Sequence, residues 1–355
     1  MAKVDYPAIL NEAWQKHLEP RSKDAPTVIS TFAGCGGSSL GYSISGFKEL
    51  LAVEWDDNAV ATFKLNFPEV PVYHGDIAKL SVEEVMRLTG LKPGELDVLD
   101  GSPPCQGFST AGKRCLNDDR NQLFREYVRL LRGLQPKVFV MENVSGMVKG
   151  KMKLIFVEIL RELKESGYDV SARLMNAMYF NVPQSRQRMI FIGVRNDLNI
   201  KPGHPSAKCK PLTVRDAIQD LSDMQNESSN HVWIDEWDKN TKWIKYVPGL
   251  KEGGHLPCTT QYRRLFWDKP SFTLTKSGLP GMSCYVRNSH IHPKYHRSLS
   301  IREMARIASF PDNFQFIDAL KEGNARIGNC VPPLFMAAIA EHIKDNILSK
   351  IGDEY

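Results

Sequence analysis

Residues 27–42 read TVISTFAGCGGSSLGY, a β-branched run that breaks into a glycine-rich turn and then into an apolar, helix-like pattern. Such a run reads as a buried strand. Glycines directly behind a strand let the backbone approach a ligand, and the N-terminus of the helix that follows favours anionic groups. Outward from this unit come LLAVE (50–54), VPVY (70–73), LDVLD (96–100), VFVME (138–142) and MIFIGV (189–194). Between them DNAVATFKLNF, NQLFREYVRLLRGL and KLIFVEILRELKESG repeat apolar residues at three- and four-residue spacing, as sheet-covering helices do. The alternation predicts an α/β protein with a largely parallel sheet. After about residue 197 it fades into Pro, Gly, Asn, Ser and His, which puts a boundary near 200–220. PPLFMAAIAEHIKDNIL (332–348) restores a helical pattern and is expected to pack back on the first domain.

A chain of 355 residues accommodates two domains of about 150 residues each. With 42% hydrophobic and 25% charged residues it falls in the globular range, which excludes disordered, collagen-like and coiled-coil classes. Its longest uninterrupted apolar run, Leu334 to Ala340, is far shorter than a membrane span requires. The N-terminus lacks an apolar core of signal-peptide length, so a reducing, cytoplasmic setting is expected. The seven cysteines (35, 105, 115, 209, 258, 284 and 330) are scattered without a Cys-x-x-Cys pair, which argues against a disulfide framework or structural zinc. No metal is expected. Net charge is only +5, but residues 240–306 hold six Lys and six Arg against Glu252, Asp268 and Glu303, a local excess of +9. Four of the nine histidines share that stretch, with aromatics that include Trp243, Tyr246, Tyr262, Phe266, Trp267 and Tyr285. Cations interleaved with flat rings suit nucleic acid, although a solvated basic face has the same composition.

Four motifs carry chemistry. FAGCGGSSLGY (32–42) opens the first helix, and Glu54 at the end of the second strand is placed to meet ribose hydroxyls. A dinucleotide oxidoreductase would share both features; Trp55 and Asp76 add an aromatic face and a carboxylate suited to adenine. GSPPCQGFS (101–109) follows the fourth strand, at the edge where open α/β sheets bind ligands. A thiol with an ordinary pKa of about 8.5 is mostly protonated at neutral pH, so nucleophilic Cys105 needs an acid/base or cationic neighbour. Glu142 in MENV and the arginines of PQSRQR (183–188) supply candidates. In an extended segment alternate residues share a face, so Gln184, Arg186 and Arg188 are expected to point into one site.

With DDRNQLF (118–124), RSLSIREMARIASFPDNF (297–314) and RIGNCVPP (326–333) following in order, the sequence resembles the cytosine-5 DNA methyltransferases of the stand-alone prokaryotic kind from about residue 27 to 350. Ser102, where glycine is frequent, and Cys330, where serine is usual, are mild departures. The resemblance implies a Rossmann-like S-adenosylmethionine-dependent methyltransferase sheet with a smaller, irregular target-recognition domain. It implies an extension over 1–25, a catalytic domain over 26–205 and 323–350, and recognition and hinge regions over 206–322. Cys105 would attack carbon 6 of cytosine, Glu142 would hydrogen-bond or protonate ring nitrogen 3, Arg188 would contact the carbonyl, and Arg186 would steady the same region. S-adenosylmethionine would be held by Phe32, Gly34, Gly36, Glu54, Trp55, Asp76, Ile77, Pro104 and Asn329. Gln106 and Ser109 lie on the implied lid, and Arg263, Arg264, Lys276 and Arg287 are candidate DNA contacts. The implied partner is double-stranded DNA, with a cognate restriction endonuclease beside it, and the implied state is a nucleoid-associated monomer. The rival is a tRNA cytosine-5 methyltransferase, whose Cys-Phe-Thr signature is here Ser271-Phe272-Thr273. A non-catalytic DNA-binding regulator is disfavoured by the full set of Cys105, Glu142 and Arg188.

Overall fold

The computed structural model describes residues 4–104, 122–148, 152–221, 244–257, 262–275 and 290–351. It begins with a helix, α1 (Tyr6–Leu18), in the stretch set apart above as an extension. Asp5 caps it by accepting from the Ala8 amide at 3.1 Å, and Pro7 occupies the first turn, where its missing N–H costs nothing. Tyr6, Leu10 and Ala13 are buried, and the Tyr6 hydroxyl donates to the Arg306 carbonyl at 3.2 Å.

The expected strands and helices then appear in turn, with one helix that was not expected: β1 (Thr27–Thr31), α2 (Gly37–Ile44), β2 (Lys48–Glu54), α3 (Asp57–Asn66), β3 (Val72–His74), the unexpected α4 (Val82–Thr89) and β4 (Val98–Gly101). They continue with α5 (Gln122–Leu134), β5 (Val138–Val144) and α6 (Met152–Glu165). One strand of the main sheet escaped the sequence pattern: β6 (Tyr168–Asn176). It is an edge strand with half-exposed Asp169 and Ser171 and exposed Arg173, so it shows no continuous apolar run. After it come β7 (Gln184–Ser185) and β8 (Gln187–Arg195). The main sheet has seven strands in the order β3-β2-β1-β4-β5-β8-β6. β1 pairs in parallel with β2 on one side and β4 on the other, so the chain order reverses there, and β8 is antiparallel to both neighbours. The reversal opens a crevice at the carboxyl ends of β1 and β4.

One sheet face packs Ile29, Leu51, Leu99, Phe139 and Phe191 beneath α4, α5 and α6. The other packs Val28, Val98, Val140 and Ile192 beneath α2 and the last helix, α10 (Pro333–Asn346). Between β8 and that helix lie α7 (Val214–Ile218), the short strands β9 (Arg263–Arg264), β10 (Ser271–Phe272) and β11 (His290–Ile291), then α8 (Ile301–Ile307) and α9 (Asn324–Asn329), before α10 (Pro333–Asn346). α7 and α8 each start with a reciprocal capping box, Thr213 with Asp216 and Ser300 with Glu303. A third core joins these helices to α1 and α3 through Leu10, Phe67, Ile218, Met304, Phe310 and Phe314. β10 pairs in parallel with β7, which fastens this irregular region to the strand entering the sheet.

α2 and α10 approach so closely that a Cβ on Gly41 would stand 2.5 Å from the Met336 Cβ and 2.7 Å from the Pro333 carbonyl. Neither neighbour can yield without moving α10. Gly41→Val is expected to lower stability by about 1–3 kcal/mol, the usual cost of overpacking a core. Urea unfolding checks this, with Gly146→Ala, where no atom lies within 4 Å of an added Cβ, expected to sit near the parent.

Candidate active site

The crevice is built from loops that leave the sheet at one edge. Phe32 directly follows β1 with a φ of 56°, and Gly34 and Gly36 come next at 57° and 97°. These values are strained for most side chains, and at Gly36 a Cβ would also stand 2.4 Å from the Phe67 ring. The turn is pinned from β2. Glu54 accepts from the Gly34 amide on one oxygen at 2.8 Å, and from the Trp55 and Asp56 amides on the other at 2.8 and 3.0 Å. A carboxylate has about four acceptor positions, so Glu54 keeps capacity for a further donor such as a hydroxyl. Beside this nearly buried carboxylate Trp55 is 75% exposed, a large aromatic face left toward solvent. Asp76 caps the turn Ile77–Lys79 by accepting from Ala78 at 3.0 Å, with Ile77 buried behind it. Pro104 is exposed after β4, and Asn329 is exposed at the end of α9. α9 is held over the turn by a bidentate ion pair of Arg326 with Asp56 at 2.7 and 3.1 Å.

On the other side of the crevice β5 carries MENV to the same edge. Gly101 of β4 pairs with Met141, so the residues after Gly101 run beside Glu142. Asn143 is buried and donates from Nδ2 to the Pro103 carbonyl at 3.2 Å, while its Oδ1 accepts from the Val144 amide at 2.8 Å. This side chain ties the root of the Pro-Cys loop to the strand bearing the carboxylate; the sequence reading passed over it, although it adjoins Glu142. In the antiparallel β5–β8 pair Arg188 lies opposite Val144, diagonal to Glu142, and long side chains reach across that spacing. Arg188 Nε meets Glu142 Oε1 at 2.5 Å, both side chains being largely buried.

Two expectations for arginines are corrected. Arg186 is not on the face of Arg188: β7 ends at Ser185 and β8 starts at Gln187, so the two-residue alternation breaks at this position. Its guanidinium, 2% exposed, donates to the Leu274 carbonyl at 2.9 Å and the Gly328 carbonyl at 3.1 Å. Gln184 likewise turns inward, with its Oε1 accepting from the Leu274 amide at 3.1 Å and its Nε2 donating to Ile307 O at 3.4 Å. Burial, with the Arg188 charge nearby, lowers the Arg186 pKa to about 10, still charged at neutral pH. Arg186 is thus a clamp between the sheet, the β10 segment and α9. Arg264, expected at the DNA surface, is 3% exposed and donates to the carbonyls of Val247, His292, Pro293 and Tyr295. It organises its own region from within. Arg263 is half-buried, with its guanidinium 5.0 Å from the centre of the Phe272 ring. Cys105, Gln106, Ser109, Lys276 and Arg287 lie outside the described residues.

A doubly wound sheet whose switch-point loops carry these groups has the architecture of a cofactor-dependent methyltransferase. Residues 26–345 match the model of the C-5 cytosine-specific DNA methylase family, and the chain belongs to that family. It is a DNA cytosine-5 methyltransferase, transferring a methyl group to cytosine in DNA. It is 33% identical to the Type II methyltransferase M.XorII of Xanthomonas oryzae pv. oryzae, over 92% of this chain and 86% of the relative. To M.NgoPII of Neisseria gonorrhoeae it is 34% identical, over 94% and 99%. Among solved structures it is similar to a candidate DNA modification methyltransferase encoded within an E. coli prophage, with a TM-score of 0.73, 25% identity and coverage of 91% and 100%. DNMT2 of Spodoptera frugiperda shares the fold, with a TM-score of 0.61 at 19% identity and coverage of 90% and 99%. Among the described residues no helix is long and apolar enough to cross a membrane.

Beneath the crevice lie two carboxyl groups that the sequence reading missed. Asp100 is the penultimate residue of β4; it is 2% exposed and accepts from the Tyr42 hydroxyl at 3.3 Å. Glu49 of β2 accepts from Ser39 Oγ at 2.9 Å, and its other oxygen is buried without a partner. Burial is the main cause that raises the Asp100 pKa to about 8, with Glu49 adding to it, and burial raises that of Glu49 to about 7. The folded chain therefore holds protons here that the unfolded chain releases near pH 4. The stabilisation is complete below that range and is lost as pH rises through about 7 to 8. Asp100→Asn, neutral at every pH, is expected to shrink the drop in urea midpoint between pH 5.5 and pH 8.5. An unchanged drop would mean that Asp100 is already ionised in the folded protein.

Proposed function

We propose that this enzyme methylates carbon 5 of a cytosine within a short specific sequence of double-stranded DNA, through a covalent adduct on a base flipped from the helix. The observation that carries the reading is the Glu142–Arg188 pair, set beside the root of the Pro-Cys loop by the Asn143–Pro103 hydrogen bond. Carbon 5 of cytosine is a weak nucleophile until the ring is activated. Cys105 would add to carbon 6 while the Glu142 carboxyl supplies a hydrogen bond, and then a proton, at ring nitrogen 3. Arg188 would hold Glu142 in place and present its remaining donors to the cytosine carbonyl, a charge-assisted contact. Loss of the carbon 5 proton and departure of the Cys105 thiolate would complete the cycle. A stacked base is out of reach of these groups, so it must leave the duplex at a cost of a few kcal/mol.

S-adenosylmethionine is the methyl donor in this reading, supplying an electrophilic methyl group. The residues fit it: Trp55 and Phe32 offer aromatic surface for adenine, Glu54 retains an acceptor for a ribose hydroxyl, and Asp76 and Ile77 would stand at the adenine edge. Gly34 and Gly36 admit the donor to the backbone, with Pro104 and Asn329 at the rim. Residues 26–205 and 323–350 would form the catalytic domain, with recognition by 206–322, where phosphate contacts position DNA and base contacts specify it. Arg263, Lys276 and Arg287 remain candidates for those contacts; Arg186 and Arg264 serve as internal clamps. Relatives named as Type II methyltransferases support a setting beside a cognate restriction endonuclease. In this reading the enzyme would act on DNA as a monomer in the cytoplasm.

Expression in a methylation-free host, followed by sequencing of 5-methylcytosine, tests the function. Marks confined to one short motif are expected, and none from Cys105→Ala, whose cofactor affinity should stay within a few-fold of the parent. Methylated tRNA with unmarked DNA would reverse the choice of substrate.

A further inference from the structure

The C-terminal ends of α1, α2 and α3 meet beside the glycine-rich turn, and two side chains from the α1 end hold them together. The last carbonyls of a helix have no partner within it. Arg21, just past α1, brings Nη2 to 2.8–3.1 Å from the Lys16 and His17 carbonyls of α1 and the Ser43 carbonyl of α2, sharing its hydrogens among them. Helix dipoles favour a cation at this place. His17, half-buried on α1, spans the other gap. Its Nε2 lies 3.2 Å from the carbonyl of Asn66, the last residue of α3, and its Nδ1 lies 2.8 Å from Ser43 Oγ. Burial lowers the His17 pKa, so the ring is neutral at pH 7. A carbonyl only accepts, so the proton sits on Nε2, and Nδ1 accepts from the Ser43 hydroxyl.

Phe67 follows Asn66. Its ring meets the imidazole edge-on, with centroids 5.1 Å apart, and stacks on Phe63 at 4.6 Å. A Cβ on Gly36 would stand 2.4 Å from Phe67 Cε2 and 3.2 Å from its Cδ2, so the ring lies directly against the backbone of the turn. That turn holds Phe32, Gly34 and Gly36 at positive φ. A non-glycine residue held in this region, as Phe32 is, persists only when its surroundings enforce it.

We propose that His17 is a positioning residue for the methyl donor: it fixes the end of α3, seats Phe67 on Gly36, and so keeps turn 32–36 in the form that receives S-adenosylmethionine. The proposal rests on the reading of that turn as the donor's site. It gives α1, which lies ahead of the family match over 26–345, a part in the reaction. The contribution is preorganisation, acting through Phe67. A turn that samples other forms binds with an affinity reduced by the fraction of molecules in the competent one.

The test uses the full chain and two readouts. Hydrogen exchange of the donor-free protein reads the turn itself: in His17→Ala the amides of residues 34–37 should exchange about tenfold faster than in the parent. Calorimetry reads the consequence: the Kd for S-adenosylmethionine should rise about tenfold, as for a turn correctly formed in about one molecule in ten. The KM for the donor should follow, with kcat unchanged at saturation. His17→Gln, whose side-chain amide can donate to the Asn66 carbonyl, should recover affinity to within about threefold, the Ser43 bond being the part still missing. Tyr6→Phe controls for a general loosening of α1. It removes the hydrogen bond to the Arg306 carbonyl about three turns away, and should lower the urea midpoint while leaving exchange of the turn and donor affinity as in the parent. Unchanged exchange in His17→Ala would overturn the proposal, as would the same changes appearing in Tyr6→Phe. Faster exchange with unaltered affinity would remove its role in donor binding. A parent protein that binds no S-adenosylmethionine would count against the donor site instead, and exchange would still decide whether His17 holds the turn.

Discussion

Parallel pairing of β1 with both β2 and β4 is the constraint from which the site follows. Because these strands and β5 run the same way, the turn after β1, the Glu54–Trp55 corner, the loop after β4 and the MENV segment all emerge at one edge. The reversal of strand order between β1 and β4 separates the helices on the two faces and leaves room there. A helical bundle would have to assemble the same groups from loops at both ends. Here one sheet edge carries the groups assigned to the cofactor on one side and Glu142 with Arg188 on the other, joined by Asn143.

Buried polar side chains then fix the irregular half of the molecule. Arg186, Arg264 and Arg306 are each largely buried and bonded to carbonyls or carboxylates from distant parts of the chain, and buried Arg297 pairs with Glu303 six positions on. Glu303 is buried between the two Nη atoms of Arg297 and the Ser300 amide at 2.7 to 2.8 Å. Removing one partner of such a pair leaves an uncompensated buried charge, which costs far more than an exposed pair contributes. A region with little regular structure thereby acquires a defined shape, and β7–β10 pairing with the Arg186 clamp transmits that shape to β8, where Arg188 sits.

The sheet was largely legible in the sequence because buried parallel strands are short apolar runs and glycine marks the turn where backbone must come close. β1, β4 and β5 were found to within a residue or two, as was the helix that returns to the sheet. β6 was not, since at a sheet edge its polar positions mimic a loop. Glu54, Trp55, Glu142 and Arg188 could be nominated because a carboxylate or large ring at a strand end has few structural uses. Arg186 and Arg264 were misplaced for the opposite reason: arginine is ordinarily a surface residue, and nothing local reveals carbonyls supplied from tens of residues away. The burial of Glu49 and Asp100 exists only in the folded chain.

The central claim is that Cys105 attacks carbon 6 from a loop rooted beside Glu142. Duplex DNA carrying 5-fluorocytosine tests it directly, because fluorine at carbon 5 blocks the elimination that frees the enzyme. Incubated with S-adenosylmethionine and run on a denaturing gel, the parent protein is predicted to remain attached to the DNA, and Cys105→Ala to run free. A preparation that methylates ordinary duplex yet leaves fluorinated target DNA unattached would contradict the account.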